Sequence, residues 1–157
     1  MVLIRPEPLA RNKCRWSQDQ WLGKAHARFD QTGSTTGNWI SLKKHPLEWD
    51  VTYKLRDAHF RFRLKLTKFK HVGVFPEQGS NWNFIFDKVQ ETQESKVLNL
   101  FAYTGGASLA ARTAGAQTFH VDSIKQVISW SRENQELSGL DNIHWVKYPK
   151  SILESFG

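Results

Sequence analysis

The residues with the clearest capacity for chemistry are a glycine pair, Gly105-Gly106, and an acid further along the chain, Asp122. Adjacent glycines let a chain turn sharply and bring bare backbone N–H groups close to a ligand. A carboxylate nearby can accept hydrogen bonds from a pair of hydroxyls, such as the ribose of a nucleotide-like cofactor offers. The turn, YTGGAS, lacks the three spaced glycines of the dinucleotide fingerprint and the Lys-Ser/Thr pair of a phosphate-binding loop. A pyrophosphate is therefore not indicated. Such a turn suits a ligand that joins a ribose to a carboxylate or an amine, and S-adenosylmethionine is such a ligand. The plainer reading is that Gly105-Gly106 only lets a helix pack closely on a strand. Asp122 argues against it by standing where the ribose partner belongs.

Those residues need a β-α-β unit to position them. Val97, Leu98, Leu100 and Phe101 form a short apolar run, which predicts a strand buried on both faces. Ala107 to Ala114 is rich in helix formers and Gly115 marks its stop, while Phe119 and Val121 lead a second strand to Asp122. Ser123 and Gln126 have the spacing of a capping box. Val127, Ile128, Trp130 and Leu137 then line a helix that ends at Gly139, and Asp141 to Val146 reads as a third strand. Right-handed crossovers make the three strands parallel.

Upstream, the pattern is of another kind. In HFRFRLKL, Phe60, Phe62, Leu64 and Leu66 alternate with Arg61, Arg63 and Lys65, and Trp49, Val51, Tyr53 and Leu55 alternate before them. This predicts an antiparallel pair with one buried and one basic face. Arg61, Arg63, Lys65, Lys68 and Lys70 could follow a phosphate backbone; the plainer reading is a solvated strand face. Ser80 is the expected cap of a helix carrying Trp82, Ile85, Phe86 and Val89. Trp16 to Phe29 has partial helical spacing, with Trp21, Leu22, Ala25 and Phe29 as its apolar positions, and QTGSTTGN is a polar loop. The expected divisions are 1–37, irregular or partly helical; 38–79, antiparallel β with a basic face; and 80–157, a partial Rossmann-like unit.

The chain has 157 residues, 39% hydrophobic and 24% charged, which allows one ordinary domain with a real core. Its net charge of +7 is uneven: 16 basic against 10 acidic residues before Lys96, and 6 against 5 from there on. A basic region beside a near-neutral cofactor unit suggests a polyanionic partner, with nucleic acid foremost. The single cysteine, Cys14, excludes an intramolecular disulfide and reads as an ordinary residue. The six histidines have no carboxylate or cysteine partners at ligand spacing, so no metal is expected. Glu133 and Glu136 read as helix surface rather than acid catalysts. With no apolar run long enough for a membrane span or a secretory signal, the expected location is cytoplasmic.

Four blocks, FKHVGVFPEQGSNWNFI, VLNLFAYTGGASLAA, HVDSIKQVISWSRENQELSGL and NIHWV, resemble in order the class I S-adenosylmethionine-dependent methyltransferases of the bacterial ribosomal RNA type, including the 23S rRNA cytosine-C5 group. The resemblance covers roughly Trp39 to Val146. It implies an α/β fold, an N-terminal β-rich portion followed by the first half of a Rossmann-like methyltransferase sheet. It further implies S-adenosylmethionine as cofactor and RNA, of ribosomal type, as partner. Asn99, Phe101, Tyr103, Thr104, Gly105 and Gly106 match the family's first cofactor motif. Asp122 matches the acid that holds the ribose, and Ser123 follows it near the adenine. Phe75, Glu77 and Gln78 match an upstream loop that closes over the cofactor.

The same resemblance implies a fourth strand ending in Asp-Pro-Pro or Asn-Pro-Pro at the methyl-transfer site. The sequence contains no such motif, and after Val146 it reads KYPKSILESFG, so catalytic residues stay unassigned. The expectation is an interrupted enzyme whose incomplete sheet edge favours self-association. The competing classes are a noncatalytic cofactor-binding fragment and a basic nucleic-acid-binding module. A nicotinamide dehydrogenase would need the third glycine.

Overall fold

The computed structural model describes residues 1–6, 16–34 and 36–147. Cys14 and the tail from Tyr148 onward lie outside them. The residues fall into two compact units, Met1–Trp49 with Leu64–Val72, and Asp50–Arg63 with Gly73–Gly157.

In the first unit, β1 (Leu3–Ile4) pairs in parallel with β2 (Ala27–Gln31), and β2 pairs antiparallel with β3 (Gly37–Ser41). The helix expected over Trp16 to Phe29 is cut short: α1 covers Gln18–Lys24, capped by Ser17 in a reciprocal box with Gln20. Ala25 is already extended, and Phe29 belongs to β2, where its ring meets Trp39 edge-on at 5.2 Å. Cross-strand pairing there outweighs a weak helical spacing. The segment expected to be irregular or partly helical thus holds a short helix and two strands, and the polar stretch after it lends Gln31 to β2 and Gly37 and Asn38 to β3. Gly37 lacks a side chain for a steric reason, since a Cβ would stand 2.3 Å from the Asp30 carbonyl oxygen.

Strands β4 (Glu48–Lys54) and β5 (His59–Lys65) form the two-stranded sheet that the alternation predicts. Phe60, Phe62 and Leu64 are buried, as their period of two requires. Within the second unit Phe60, Phe62 and Tyr53 surround Trp82, with ring centroids 4.8–5.8 Å from it. Trp82 comes from α2 (Gly79–Gln90), which follows a 3-10 turn at Pro76–Gln78. Ser80 does not cap this helix. The turn feeds directly into it, so α2 starts two residues earlier than a cap at Ser80 would set, with no side-chain cap.

Then come β6 (Lys96–Leu100), α3 (Gly106–Thr113), β7 (Gln117–Asp122), α4 (Lys125–Leu137) and β8 (Ile143–Lys147). The three strands are parallel in the order β6-β7-β8, with Leu98 opposite Phe119 and Phe119 opposite His144. Alanines make α3 slim. Ala110 and Ala111 are fully buried, and Val89 of α2 packs against Ala111 and Ala116. The strand expected to be buried on both faces is not: Leu98 is 63% exposed, Leu100 54% and Phe101, just beyond it, 66%. Val97 and Asn99 point toward the helices; among the described residues nothing covers the alternate face.

The capping box expected at Ser123 is also absent. α4 begins at Lys125, and the Asp122 carboxylate accepts the Ile124 amide instead. The buried face of α4 is Ile128, Ser131 and Asn134, two of them polar. Its side chains line the backbone of β5: Trp130 Nε1 donates to the Arg63 carbonyl at 2.7 Å, and the Arg63 amide donates to Asn134 Oδ1 at 2.8 Å. The Arg61 amide donates to Ser138 Oγ at 2.9 Å.

Candidate cofactor-binding site

The residues linking β6 to α3 lie at the carboxyl end of a parallel sheet, where open α/β folds bind ligands. Their backbone is unusual. Phe101 and Tyr103 have φ of 54° and 50°, and Gly105 has 96°. A left-handed conformation costs a non-glycine residue about 1–2 kcal/mol, so the surroundings must impose it. They do so from several sides. The Ala102 amide donates to the Val121 carbonyl at 3.1 Å, and the Tyr103 amide to Asp122 Oδ2 at 3.0 Å. Thr104 is buried, its hydroxyl donating to the Gly73 carbonyl at 2.6 Å while Asn134 Nδ2 donates to the Thr104 carbonyl at 2.9 Å.

Asp122, 8% exposed, ends β7 with one carboxylate oxygen on the Tyr103 amide and the other on the Ile124 amide, 3.0 Å each. Each oxygen keeps a further lone pair, so the group can still accept from ligand hydroxyls. The first amides of α3 follow this turn directly and have no partner inside the helix. This donor and acceptor set fits a ligand with a diol and a carboxylate.

The glycine pair also has structural reasons. A Cβ on Gly105 would stand 2.4 Å from Ser131 Oγ, and one on Gly106 would stand 2.7 Å from the Trp82 indole. The reading that these glycines permit close packing is therefore correct as far as it goes. Phe75 meets Tyr103 with ring centroids 5.2 Å apart, which brings the upstream segment to the turn. Glu77 and Gln78 are exposed on the 3-10 turn, where Gln78 Oε1 accepts from Asn81, and Ser123 is half-buried. Asn99 faces inward, its amide donating to Ser108 Oγ at 2.9 Å.

Behind the turn lies His120, fully buried and within 3.0 Å of Ser108 Oγ through Nδ1. Burial pushes its pKa down to about 4, against the smaller opposing pulls of Asp122 and the Tyr103 carbonyl. Sequence reading missed His120, Ser108, Trp82 and Asn134 as parts of the site. Only the proximity of His120 to Asp122 in the chain could have pointed to it. A polar hollow of about 450 Å³, lined by Val89 to Ser95, Ala114 and Gly115, sits at the amino ends of β6 and β7, away from the turn.

The basic residues do not form one group. Arg63 grips Asp50 with two bonds of 2.9 and 3.1 Å, holding that carboxyl below its usual range, and Lys65 stands 3.8 Å from Glu48. The β4–β5 surface is thus mixed rather than basic. Arg61 and Lys68 are exposed and Lys70 is half-exposed. Among the described residues there is no cluster of three or more metal-ligating side chains, and no helix long and apolar enough to cross a membrane.

Residues 12–157 match the family model described as S-adenosylmethionine-dependent methyltransferase. The chain belongs to this family. A crystal structure of a SAM-dependent methyltransferase from Agrobacterium tumefaciens is 37% identical and superimposes with a TM-score of 0.82, over 98% of this chain and 48% of that one. The ribosomal RNA large subunit methyltransferase K/L of Shewanella baltica (strain OS155) is 35% identical over 106 residues, 67% of this chain and 14% of that protein. Its Shewanella frigidimarina counterpart is 34% identical over 55% of this chain and 13% of its own length. The chain therefore spans about half of the Agrobacterium structure and about a seventh of these curated relatives. The fold alone is shared with Methanocaldococcus jannaschii Trm5, at 17% identity and a TM-score of 0.52, over 82% of this chain and 37% of that one.

Proposed function

We propose that this chain binds S-adenosylmethionine at the Phe101–Gly106 turn and Asp122, and that it serves methyl transfer to RNA. The relationship between Asp122 and Tyr103 carries the reading: one carboxylate both shapes the turn and stays open to a diol. In this reading Asp122 holds the ribose hydroxyls and Ser123 borders the adenine. The backbone of Tyr103, Gly105 and Gly106, with Phe101 at its rim, receives the amino-acid end. Phe75, Glu77 and Gln78 close from above, and Thr104 and Asn99 fix the turn from within. When bound, the cofactor supplies an electrophilic methyl on a sulfonium, so the protein's work is to orient and to exclude water. The cofactor unit in this reading runs from about residue 80 onward, after the β portion.

RNA of ribosomal type is the proposed substrate, suggested by the names of the curated relatives and by the charge distribution. Lys68 and Lys70, which flank the exposed ring of Phe69 in the chain, are its foremost contacts, and Arg61, Arg63 and Lys65 are further candidates. A cytoplasmic location belongs to the same reading. Self-association through β6 is proposed as well, since β6 pairs only with β7 among the described residues and exposes Leu98 and Leu100. Leu98→Lys should then lower the mass seen by light scattering; an unchanged monomer in both forms removes that part.

Calorimetry tests the cofactor reading. Heat with S-adenosylmethionine that weakens at least tenfold in Asp122→Ala supports it. No heat at millimolar ligand overturns it for this chain, and salt-dependent RNA binding without that heat would mark a noncatalytic binding module.

A further inference from the structure

Ser108, His120 and Ser131 have no exposed surface and form a polar line behind the glycine turn. Its direction follows from counting protons. The Asn99 amide nitrogen only donates, and it lies 2.9 Å from Ser108 Oγ. Ser108 accepts from Asn99, and among the described residues the acceptor that its own proton meets is His120 Nδ1, 3.0 Å away. Ser131 Oγ, at 3.5 Å from the same nitrogen, is a weaker second donor. A ring nitrogen that accepts carries no proton, so the neutral imidazole has its proton on Nε2. That nitrogen is buried and has no hydrogen-bond partner among the described residues.

The ring lies directly under the turn. A Cβ on Gly105 would stand 3.7 Å from His120 Cε1. Burial keeps the ring neutral, against the smaller pulls of the Asp122 carboxylate and the Tyr103 carbonyl toward positive charge. A neutral ring with a directed N–H supplies a dipole there without the cost of a buried charge.

We propose that Asn99, acting through Ser108, holds His120 as the neutral Nε2–H tautomer, and that this ring, packed beneath Gly105, keeps the cofactor turn in its left-handed form. Asn99 and His120 are then positioning residues rather than cofactor contacts. The effect on the cofactor rests on the function proposed above; the tautomer does not.

Long-range ¹⁵N NMR of the imidazoles in the whole chain tests this, with His120 assigned by loss of its signals in His120→Gln. The wild type should show Nε2–H, and an Nδ1–H signal overturns the proposal at once. Asn99→Asp sets an acceptor where a donor stood, which draws the Ser108 proton away from the ring. Combined with Ser131→Ala, and read against Ser131→Ala alone, it should move the proton to Nδ1 and weaken S-adenosylmethionine binding about tenfold. An unmoved proton overturns the relay; a moved proton with unchanged affinity overturns its link to the turn. If Asn99→Asp fails to fold, Ser108→Ala with Ser131→Ala removes both donors and should move the proton likewise. A wild type with Nε2–H that binds no cofactor sinks the functional reading and leaves the relay standing.

Discussion

The Tyr103 amide donates to Asp122 Oδ2 at 3.0 Å, so the last residue of β7 fixes the turn that follows β6. Asp122→Ala leaves the Tyr103 and Ile124 amides without their acceptor. Hydrogen bonds to charged groups contribute more than neutral ones, and the variant should lose roughly 3 kcal/mol of stability. Asp122→Asn, which keeps one oxygen, should lose about half of that. Urea titrations of the three proteins check the order, and an Asn variant as weak as the Ala variant would contradict it.

Gly106→Ala should destabilise by about 1–3 kcal/mol, because its Cβ would press to 2.7 Å from the Trp82 indole. Trp82→Phe in the same chain should recover part of the loss by removing the five-membered ring. Gly115→Ala is the contrast. It meets nothing within 4 Å, and its φ of 102° leaves only backbone strain of about 1 kcal/mol. Thermal melts separate a contact penalty, which the second substitution relieves, from a conformational one.

His120 makes the stability of the fold depend on pH. Its folded pKa, about 4, lies below the unfolded value near 6.5, so between these values the unfolded chain binds more protons. Stability is then full above about pH 6.5, falls as pH drops toward 4, and loses up to roughly 3 kcal/mol. Asp50 and Asp87, lowered by Arg63 and Arg56, act below that window. Denaturant midpoints at pH 7, 5.5 and 4 test it, and His120→Gln should flatten the slope.

For RNA, the surface pairing gives a ranking. Lys68→Ala with Lys70→Ala should reduce the slope of log affinity against log salt by about 1–2, since neither lysine has an ion pair among the described residues. Arg63→Ala should change it less, as Arg63 already holds Asp50. Filter binding to single-stranded RNA at several salt concentrations measures both. Equal slopes for all three proteins would remove this surface from the interface.

Much of the frame is legible in the sequence because strand and helix periods are written in apolar residues. Phe60, Phe62 and Leu64 announce β5, and the run through Leu100, Gly105, Gly106 and Asp122 announces the β-α-β unit. The interior polar residues are not legible, for a physical reason. Ser108, Ser131 and Asn134 look like helix surface until another element brings His120, the Thr104 carbonyl or the Arg63 amide to them. Leu98 and Leu100 mislead in the opposite way, since composition says that a residue would gain from cover but not that cover is there. Spacing alone draws Phe29 toward a helix, and the strand partner that claims it, Trp39, lies beyond a polar stretch.

Trp130, Asn134 and Ser138 stand one helical turn apart and meet the backbone of alternate β5 residues, Arg63 and Arg61. Side chains of a helix thus occupy the places that another strand's amides and carbonyls would take. This rim cannot template a neighbouring chain, so any runaway polymerisation of the folded molecule would have to start elsewhere. Replacing all three by alanine would unmask a growth-competent edge while leaving the apolar interior of β5 unchanged.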